Sequence, residues 1–309
     1  MSGMSRDKCA IIRVLPTNSR QAYPTIPTNL LPTNLTRLTL KTFTAYLSET
    51  GHDILFSLLE LPEAATLPWR QKHSIPAGTV TLYQPFADQR RLWVYLPPTP
   101  EAQSLPLLVV FDGRQYKEML YLPEMLDYLI TQGQIPPVIA LLVDNLDRSE
   151  LLCQTEFADY VANKILPWIR STFSVTNEPR QTVLIGSSYG GLAAAFLAFK
   201  YPQIFGVVLS QTGRFRWHPE DDQEHHWLAR QLGQAPKVSV EFWLQVGNLE
   251  VAQMSDGGPT QLSANQFMRD MLRAKGYQVA YQEYSGGHDV SSLELPLAQA
   301  LNEILSKVA

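Results

Sequence analysis

Thr182-Val183-Leu184-Ile185-Gly186-Ser187-Ser188-Tyr189-Gly190-Gly191-Leu192-Ala193-Ala194-Ala195 is the stretch on which the reading of this chain turns. A short run of β-branched and aliphatic residues meets Gly-x-Ser-x-Gly, which meets an alanine-rich run. The first part favours a pleated strand and the last favours helix, so the pentapeptide falls at a strand-to-helix turn. A serine at the centre of such a turn projects its Oγ outward, and the flanking glycines let the two backbones approach closely. The helix N-terminus behind it favours developing negative charge. Ser188 is therefore read as a nucleophile. Ser187 is the lesser candidate, because it is not central in the motif.

Working outward, short β-rich runs alternate with helical patterns from about Val80 onward, which signals a mostly parallel sheet covered by helices. The expected strands are Val80–Gln84, Arg91–Leu96, Leu107–Phe111, Val138–Val143, Thr182–Ile185, Gly206–Leu209, Glu241–Val246 and Gln278–Tyr284. The expected helices are Lys117–Thr131, Glu156–Thr172, Ser188–Lys200, Leu262–Lys275 and Pro296–Val308. The first two strands alternate polar and apolar residues, as an antiparallel edge would. Leu107-Leu108-Val109-Val110-Phe111 is apolar on both faces, as a central parallel strand would be. Together these read as an α/β-hydrolase fold: a mostly parallel eight-stranded sheet with helices on both faces.

A serine at its free pKa is a weak nucleophile and needs a base. The chain order in this fold is Ser, acid, His. Gln282-Glu283-Tyr284-Ser285-Gly286-Gly287-His288-Asp289 puts a histidine after two glycines at the end of the last strand, so His288 is the expected base. His52 and His73 precede the elbow; His218, His225 and His226 precede the strand expected to carry the acid. After that strand comes Gly247-Asn248-Leu249-Glu250, and Glu250 is the expected acid, with Asp289 and Asp256 as alternatives. Its role would be to hold the imidazole tautomer and stabilise the imidazolium. The oxyanion hole is assigned to the amides of Tyr189 and, from Asp112-Gly113-Arg114-Gln115, Arg114.

Ligands of open α/β sheets collect beyond the carboxyl ends of the strands. Those ends carry Arg114 and Tyr116, then Asp144, Asp147 and Arg148, then Arg214-Phe215-Arg216-Trp217. Arginine binds anionic oxygens in a fork and stacks on rings. Arg148, Arg214, Arg216, Trp217 and Tyr116 are therefore the expected substrate contacts, for a small molecule that is aromatic, anionic or both. The run His218-Pro219-Glu220-Asp221-Asp222-Gln223-Glu224-His225-His226 is read as a solvated loop, and no metal or cofactor is expected.

The 309 residues suit one large domain or a domain with an extension; 45% are apolar and 17% charged. A net charge of −4 argues against a nucleic-acid partner. Two cysteines, Cys9 and Cys153, form no disulfide framework. No signal-peptide core and no membrane-length apolar run is read, so a cytoplasmic location is expected. Pro-Thr-Asn occurs at Pro16, Pro27 and Pro32, with Pro24 between. Residues 1–55 are accordingly read as an irregular, Pro-rich extension, 56–79 as a linker and 80–309 as the hydrolase domain. Oligomeric state is left open.

The combination of Phe111-Asp112-Gly113, Ile135-Pro136-Pro137-Val138, Glu150-Leu151-Leu152-Cys153, Gly186 to Leu192, Tyr201-Pro202-Gln203-Ile204-Phe205-Gly206, Leu209-Ser210-Gln211-Thr212-Gly213 and Gly286-Gly287-His288-Asp289 resembles the enterochelin (enterobactin) esterases, within the esterase D group. The likeness covers about residues 55–305. It implies hydrolysis of the ester bonds of a catecholate siderophore, often as its ferric complex, to release iron. It implies Ser188 as nucleophile and His288 as base, Glu250 where related members place an acid, and Arg148 to Glu156 as a substrate-side loop. Gln154 stands where the family pattern has Asn, Arg148-Ser149-Glu150 is one residue short of the usual spacing, and the family's β-rich N-terminal domain is not expected here. A feruloyl-type or general carboxylesterase is the alternative enzyme, and a degenerate siderophore-binding protein the alternative of another class.

Overall fold

The alternation of Leu107, Val109 and Phe111 with Leu108 and Val110 lays out the central layer. In the computed structural model the first set joins one buried cluster and the second set another, so this strand separates two cores. The structure describes residues 11–14, 39–47, 52–60, 66–71, 74–98, 104–253 and 257–307, the first three of these as backbone only. Two units are distinguished, residues 1–66 and 67–309.

The first unit contains β1 (Ile11–Val14), β2 (Thr39–Leu47) and β3 (His52–Glu60), which form an antiparallel sheet in the order β1-β3-β2. Strands therefore occupy part of the region read as irregular. Thr39-Leu40-Lys41-Thr42-Phe43-Thr44-Ala45-Tyr46-Leu47 is rich in threonine and aromatic residues, which suit a pleated surface. The Pro-Thr-Asn tripeptides that motivated the irregular reading lie outside the described residues.

The second unit runs β4 (Thr79–Tyr83), β5 (Leu92–Leu96), β6 (Leu107–Phe111), α1 (Gly113–Glu118), α2 (Leu122–Thr131), β7 (Ile139–Val143), α3 (Thr155–Tyr160), α4 (Leu166–Thr172), β8 (Thr182–Ser187), α5 (Tyr189–Lys200), β9 (Val207–Gln211), α6 (Trp227–Gln234), β10 (Glu241–Gly247), α7 (Gln261–Ala274), β11 (Val279–Tyr284) and α8 (Val290–Leu305). Its sheet has the order β11-β10-β9-β8-β6-β7-β5-β4. Only β5 runs against the rest; it is antiparallel to both β4 and β7. This is the expected α/β-hydrolase sheet, with one correction: β5 is an inner strand whose Leu92, Trp93, Val94 and Tyr95 are all buried, so it is not an edge. Residues of α3 to α7 pack in one core and residues of α2 and α8 in the other.

Local chemistry explains the remaining differences from the sequence reading. The helix expected over 117–131 breaks at Tyr121, which takes a left-handed conformation (φ +50°) ahead of Pro123. The helix expected over 156–172 is continuous but passes through a π turn at Val161–Ile165; Pro167, two residues on, lacks the N–H an α-helical ladder needs there. The last helix starts at Val290, not Pro296, because Asp289 caps it through the Ser292 amide at 2.9 Å. Pro296 sits inside that helix. The linker reading of 56–79 also changes. Trp69 is buried in a core cluster, and the Trp69 indole and Arg70 guanidinium both donate to the fully buried Glu294 of α8. The chain is thus part of the hydrolase unit from Leu67 onward.

Candidate active site

Six neighbouring parallel strands deliver the site. At their carboxyl ends, in spatial order β11, β10, β9, β8, β6 and β7, stand His288, Glu250, Thr212, Ser188, Arg114 and Arg148.

Ser188 joins β8 to α5 with φ +52° and ψ −115°. Conformations of this kind cost about 1–3 kcal/mol and persist only where the surroundings over-determine them. Here the Ser188 amide donates to the Gln211 carbonyl at 3.0 Å, and its own carbonyl accepts from Arg214 N at 2.9 Å and Leu192 N at 3.1 Å. The end of β9 and the loop after it thus clamp the elbow. A Cβ on Gly186 would overlap the Gly190 backbone, which explains the glycines on either side. Ser187 is buried and its Oγ accepts from Gln115 Nε2 at 3.3 Å, whereas Ser188 is partly exposed.

His288 lies between β11 and α8 with its side chain 45% exposed. Its Nδ1 is 2.6 Å from Glu250 Oε2. Glu250 is buried; Oε1 accepts from Gly247 N at 2.9 Å, and Oε2 also accepts from Thr212 Oγ1 at 2.6 Å. A neutral imidazole is attracted to a carboxylate at that distance only with its proton on Nδ1, which leaves the Nε2 lone pair for the serine proton. Asp289 is committed elsewhere: its carboxylate takes the Ser292 amide and the hydroxyls of Ser291 and Ser292 at 2.8–2.9 Å. Asp256 and His73 lie outside the described residues, as does the side chain of His52.

The loop after β6 opens on Asp112 in a left-handed conformation (φ +54°), which turns the chain into α1. Gly190 lies against this aspartate; a Cβ there would sit 3.0 Å from Asp112 Oδ2. The first turns of α1 and α5 are thus neighbours, and amides at such starts have no intrahelical acceptor. Tyr189 is the first residue of α5 and Arg114 the second of α1; the Arg114 side chain itself turns to Glu118 at 2.9 Å.

On the substrate side, Tyr189 is flanked by two guanidiniums, with Cζ of Arg214 4.7 Å and Cζ of Arg148 5.3 Å from its ring centroid. Arg148 Nη1 also lies 4.0 Å from Asp112 Oδ1. The loop carrying Arg148 is anchored by Glu150, which receives Nη1 and Nη2 of Arg90 at 2.8 and 2.6 Å. Arg90 is buried between the rings of Phe157 and Tyr160, and burial opposes its charge while Glu150 supports it, leaving its pKa raised. Neither Arg90 nor Thr212 received a role from the sequence, although Thr212 stood in one of the family-like stretches.

The other three expected substrate contacts differ in burial, and the structure contradicts one of them, Tyr116. Tyr116 is wholly buried and its hydroxyl donates to Gln211 Oε1 at 3.0 Å; burial pushes its pKa well above the usual phenol value. It is a support behind the elbow and cannot touch a ligand. Arg216 is buried at 8% exposure, and its carbonyl faces His225 Nδ1 at 3.2 Å. Trp217 packs edge-on against Trp227, centroids 5.7 Å apart. Aromatic and basic residues are adjacent in Arg214-Phe215-Arg216-Trp217, and the sequence does not reveal that Phe215 and Arg216 are buried while Arg214 and Trp217 stay partly exposed. His218, His225 and His226 direct Nδ1 at the carbonyls of Pro219, Arg216 and Phe215. Among the described residues no group of three or more His, Cys, Asp or Glu is placed to hold a metal ion.

With this geometry in view, the comparisons are specific. Residues 84–304 match the Esterase family model, "Putative esterase". The chain is 29% identical over 262 residues to the iron(III) enterobactin esterase of Escherichia coli strain K12, covering 82% of this chain and 64% of that protein. Among solved structures it is similar to the enterobactin esterase from Shigella flexneri crystallised in the presence of enterobactin: 25% identity, TM-score 0.70, 82% of this chain and 66% of that one. A ferulic acid esterase shares the fold at TM-score 0.61 and 15% identity, covering 74% of this chain and 97% of that one. The chain thus spans just under two thirds of the length of the curated relative it matches. From Gln84 through the Ser188 elbow and the His288 loop to Ile304, this chain belongs to the esterase family.

Proposed function

We propose that this chain is a serine hydrolase that cleaves the ester bonds of a catecholate siderophore such as enterobactin, iron-free or ferric, in the cytoplasm. The observation that carries the reading is the His288–Glu250 pair at 2.6 Å, which follows the strands two and three places along the sheet from the one that ends in the Ser188 elbow. The likeness to enterobactin esterases supports the substrate class. Tyr189 between Arg148 and Arg214 supports it independently, since ring and guanidiniums together suit a catecholate that is both aromatic and anionic.

In this mechanism Ser188 Oγ attacks an ester carbonyl while His288 Nε2 takes its proton. The tetrahedral oxyanion accepts hydrogen bonds from the amides of Tyr189 and Arg114. As it collapses, the ester C–O bond breaks and the leaving alkoxide takes the proton from His288. Water then attacks the acyl-enzyme with His288 as base, which releases the acid and regenerates Ser188. Glu250 holds Nδ1 protonated throughout.

Incubation with ferric and iron-free enterobactin, with products separated by chromatography, tests this reading. Linear products should appear, and Ser188→Ala should reduce them to background. Turnover no faster than the Ser188→Ala control would contradict it. Faster cleavage of feruloyl esters than of enterobactin would move the substrate to the feruloyl class, and failure of a fluorophosphonate to label Ser188 would point to a binding protein.

A further inference from the structure

Thr212 is the anomaly beside the site. It follows β9 at φ +45°. A β-branched residue is an outlier in this left-handed region, because its branched Cβ crowds the backbone. Glycine would adopt it freely, and Gly213 is the very next residue. Something therefore keeps a hydroxyl at a position where the backbone would be better served by glycine.

The hydroxyl's surroundings supply the reason. Thr212 is 1% exposed. Its Oγ1 donates to Glu250 Oε2 at 2.6 Å and lies 2.8 Å from His288 Nδ1. Glu250 Oε2 is 2.6 Å from the same Nδ1, so the three atoms form a closed triangle. Two protons serve it. One is on the Thr212 hydroxyl and points at Oε2. The other is on Nδ1 and is shared between Oε2 and Oγ1. The reverse arrangement, with Nδ1 unprotonated, would set the Nδ1 lone pair against the carboxylate. Thr212 thus favours the one tautomer in which Nε2 is a base.

The backbone of Thr212 is fixed as tightly as its side chain. Its amide donates to the Gln245 carbonyl and its carbonyl accepts from Gln261 Nε2, both at 2.5 Å. Two residues on, Arg214 N holds the Ser188 carbonyl at 2.9 Å. The same three-residue turn therefore grips the nucleophile's backbone at one end and the acid–base pair at the other.

We infer that Thr212 is a positioning residue of the hydrolase, whose strained backbone holds its hydroxyl against Glu250 and His288 so that His288 keeps its proton on Nδ1 and its Nε2 toward Ser188. The inference rests on the Ser188–His288 reading proposed above. It adds a fourth side chain, with a job that acts through the imidazole rather than on substrate.

The test compares Thr212→Val, Thr212→Gly and Thr212→Ser with the full-length wild type on a nitrophenyl ester, with Ser188→Ala as blank. Valine keeps the shape and the strain but loses the hydroxyl; glycine loses both and serves where the valine variant does not fold. Both should lower kcat about ten- to a hundredfold, the range of a charge-assisted hydrogen bond, with KM little changed. Fluorophosphonate labelling of Ser188 should slow in parallel, and Thr212→Ser should restore kcat to within about threefold of the wild type. In a Glu250→Ala background, Thr212→Val should have almost no further effect, which a purely structural contribution would not reproduce. Wild-type kcat in folded Thr212→Val or Thr212→Gly, or full additivity with Glu250→Ala, would overturn the inference while leaving the hydrolase reading intact. A wild type with no Ser188-dependent hydrolysis would remove both.

Discussion

Ser188 sits at φ +52° and Thr212 at φ +45°, and the two strained residues are tied together through Gln211 and Arg214. Strain of this kind clusters where surrounding bonds over-determine the backbone, and here those bonds come from the ends of two neighbouring strands. The same scale separates the two acidic candidates. Glu250 touches the imidazole; Asp289, its neighbour in sequence, caps a helix. Glu250→Gln should therefore lower kcat on an ester substrate by roughly 10²–10⁴-fold with little change in melting temperature, because the amide presents a donor where Nδ1–H needs an acceptor. Asp289→Asn should leave kcat within a few-fold and cost up to about 1 kcal/mol of stability in denaturant titration, as a weakened N-cap. The opposite pattern would exchange their roles. The places of Ser188, Glu250 and His288 at the ends of β8, β10 and β11 are legible in the sequence because chain order and strand ends are legible; the catalytic roles given to them are those proposed above. Thr212 was not, because its part depends on a left-handed φ that no neighbouring residue announces. Tyr116 was misread because a tyrosine just after a strand looks the same in sequence whether it faces the cleft or the core.

The elements were placed well wherever periodicity was strong. Leu107–Phe111 coincides with its strand, and the other expected strands of the large sheet lie within two residues of those observed. The failures came at special chemistry. The short helix Trp227–Gln234 follows a charged, histidine-rich loop that masked its start, and Pro296 suggested a helix beginning when it is an interior proline. That proline also matters for packing, since it cannot join the ladder of α8. Gln211 Nε2 bonds the Leu293 carbonyl at 3.0 Å and Gln245 Nε2 bonds the Pro296 carbonyl at 2.7 Å, so side chains of the sheet reach carbonyls of the helical turn that holds the proline. Gln211, Gln245 and Gln282 are register partners on β9, β10 and β11, linked amide to amide and continued to Gln299. Tyr116 closes this row at its inner end. Tyr116→Phe leaves Gln211 Oε1 buried without that donor, and should cost about 1–3 kcal/mol in chemical denaturation while KM for an aromatic ester stays unchanged. A raised KM with unchanged stability would restore Tyr116 to the substrate side.

At the scale of the whole molecule, the boundary between units falls at Leu67, not at Val80 where the sequence texture changes. The reason is electrostatic as well as apolar. Glu294 is fully buried in α8, its pKa raised by burial and pulled back by Arg70, and Trp69 adds a second donor. A buried carboxylate that loses its cation becomes uncompensated, at a cost of roughly 3–5 kcal/mol. A chain cut to 67–309 should therefore fold cooperatively, whereas one cut to 80–309 should melt at least about 10 °C lower or fail to fold. Equal melting temperatures would show that Trp69 and Arg70 are dispensable. No described helix is long and apolar enough to cross a membrane. The most direct measurement of the central claim is mass spectrometry of the protein quenched during turnover of enterobactin. The account predicts an acyl adduct on the peptide containing Ser188, which forms far more slowly in His288→Ala because His288 takes the serine proton during acylation, and which is absent from Ser188→Ala. Undiminished enterobactin cleavage by Ser188→Ala, or an adduct on any other residue, would contradict it.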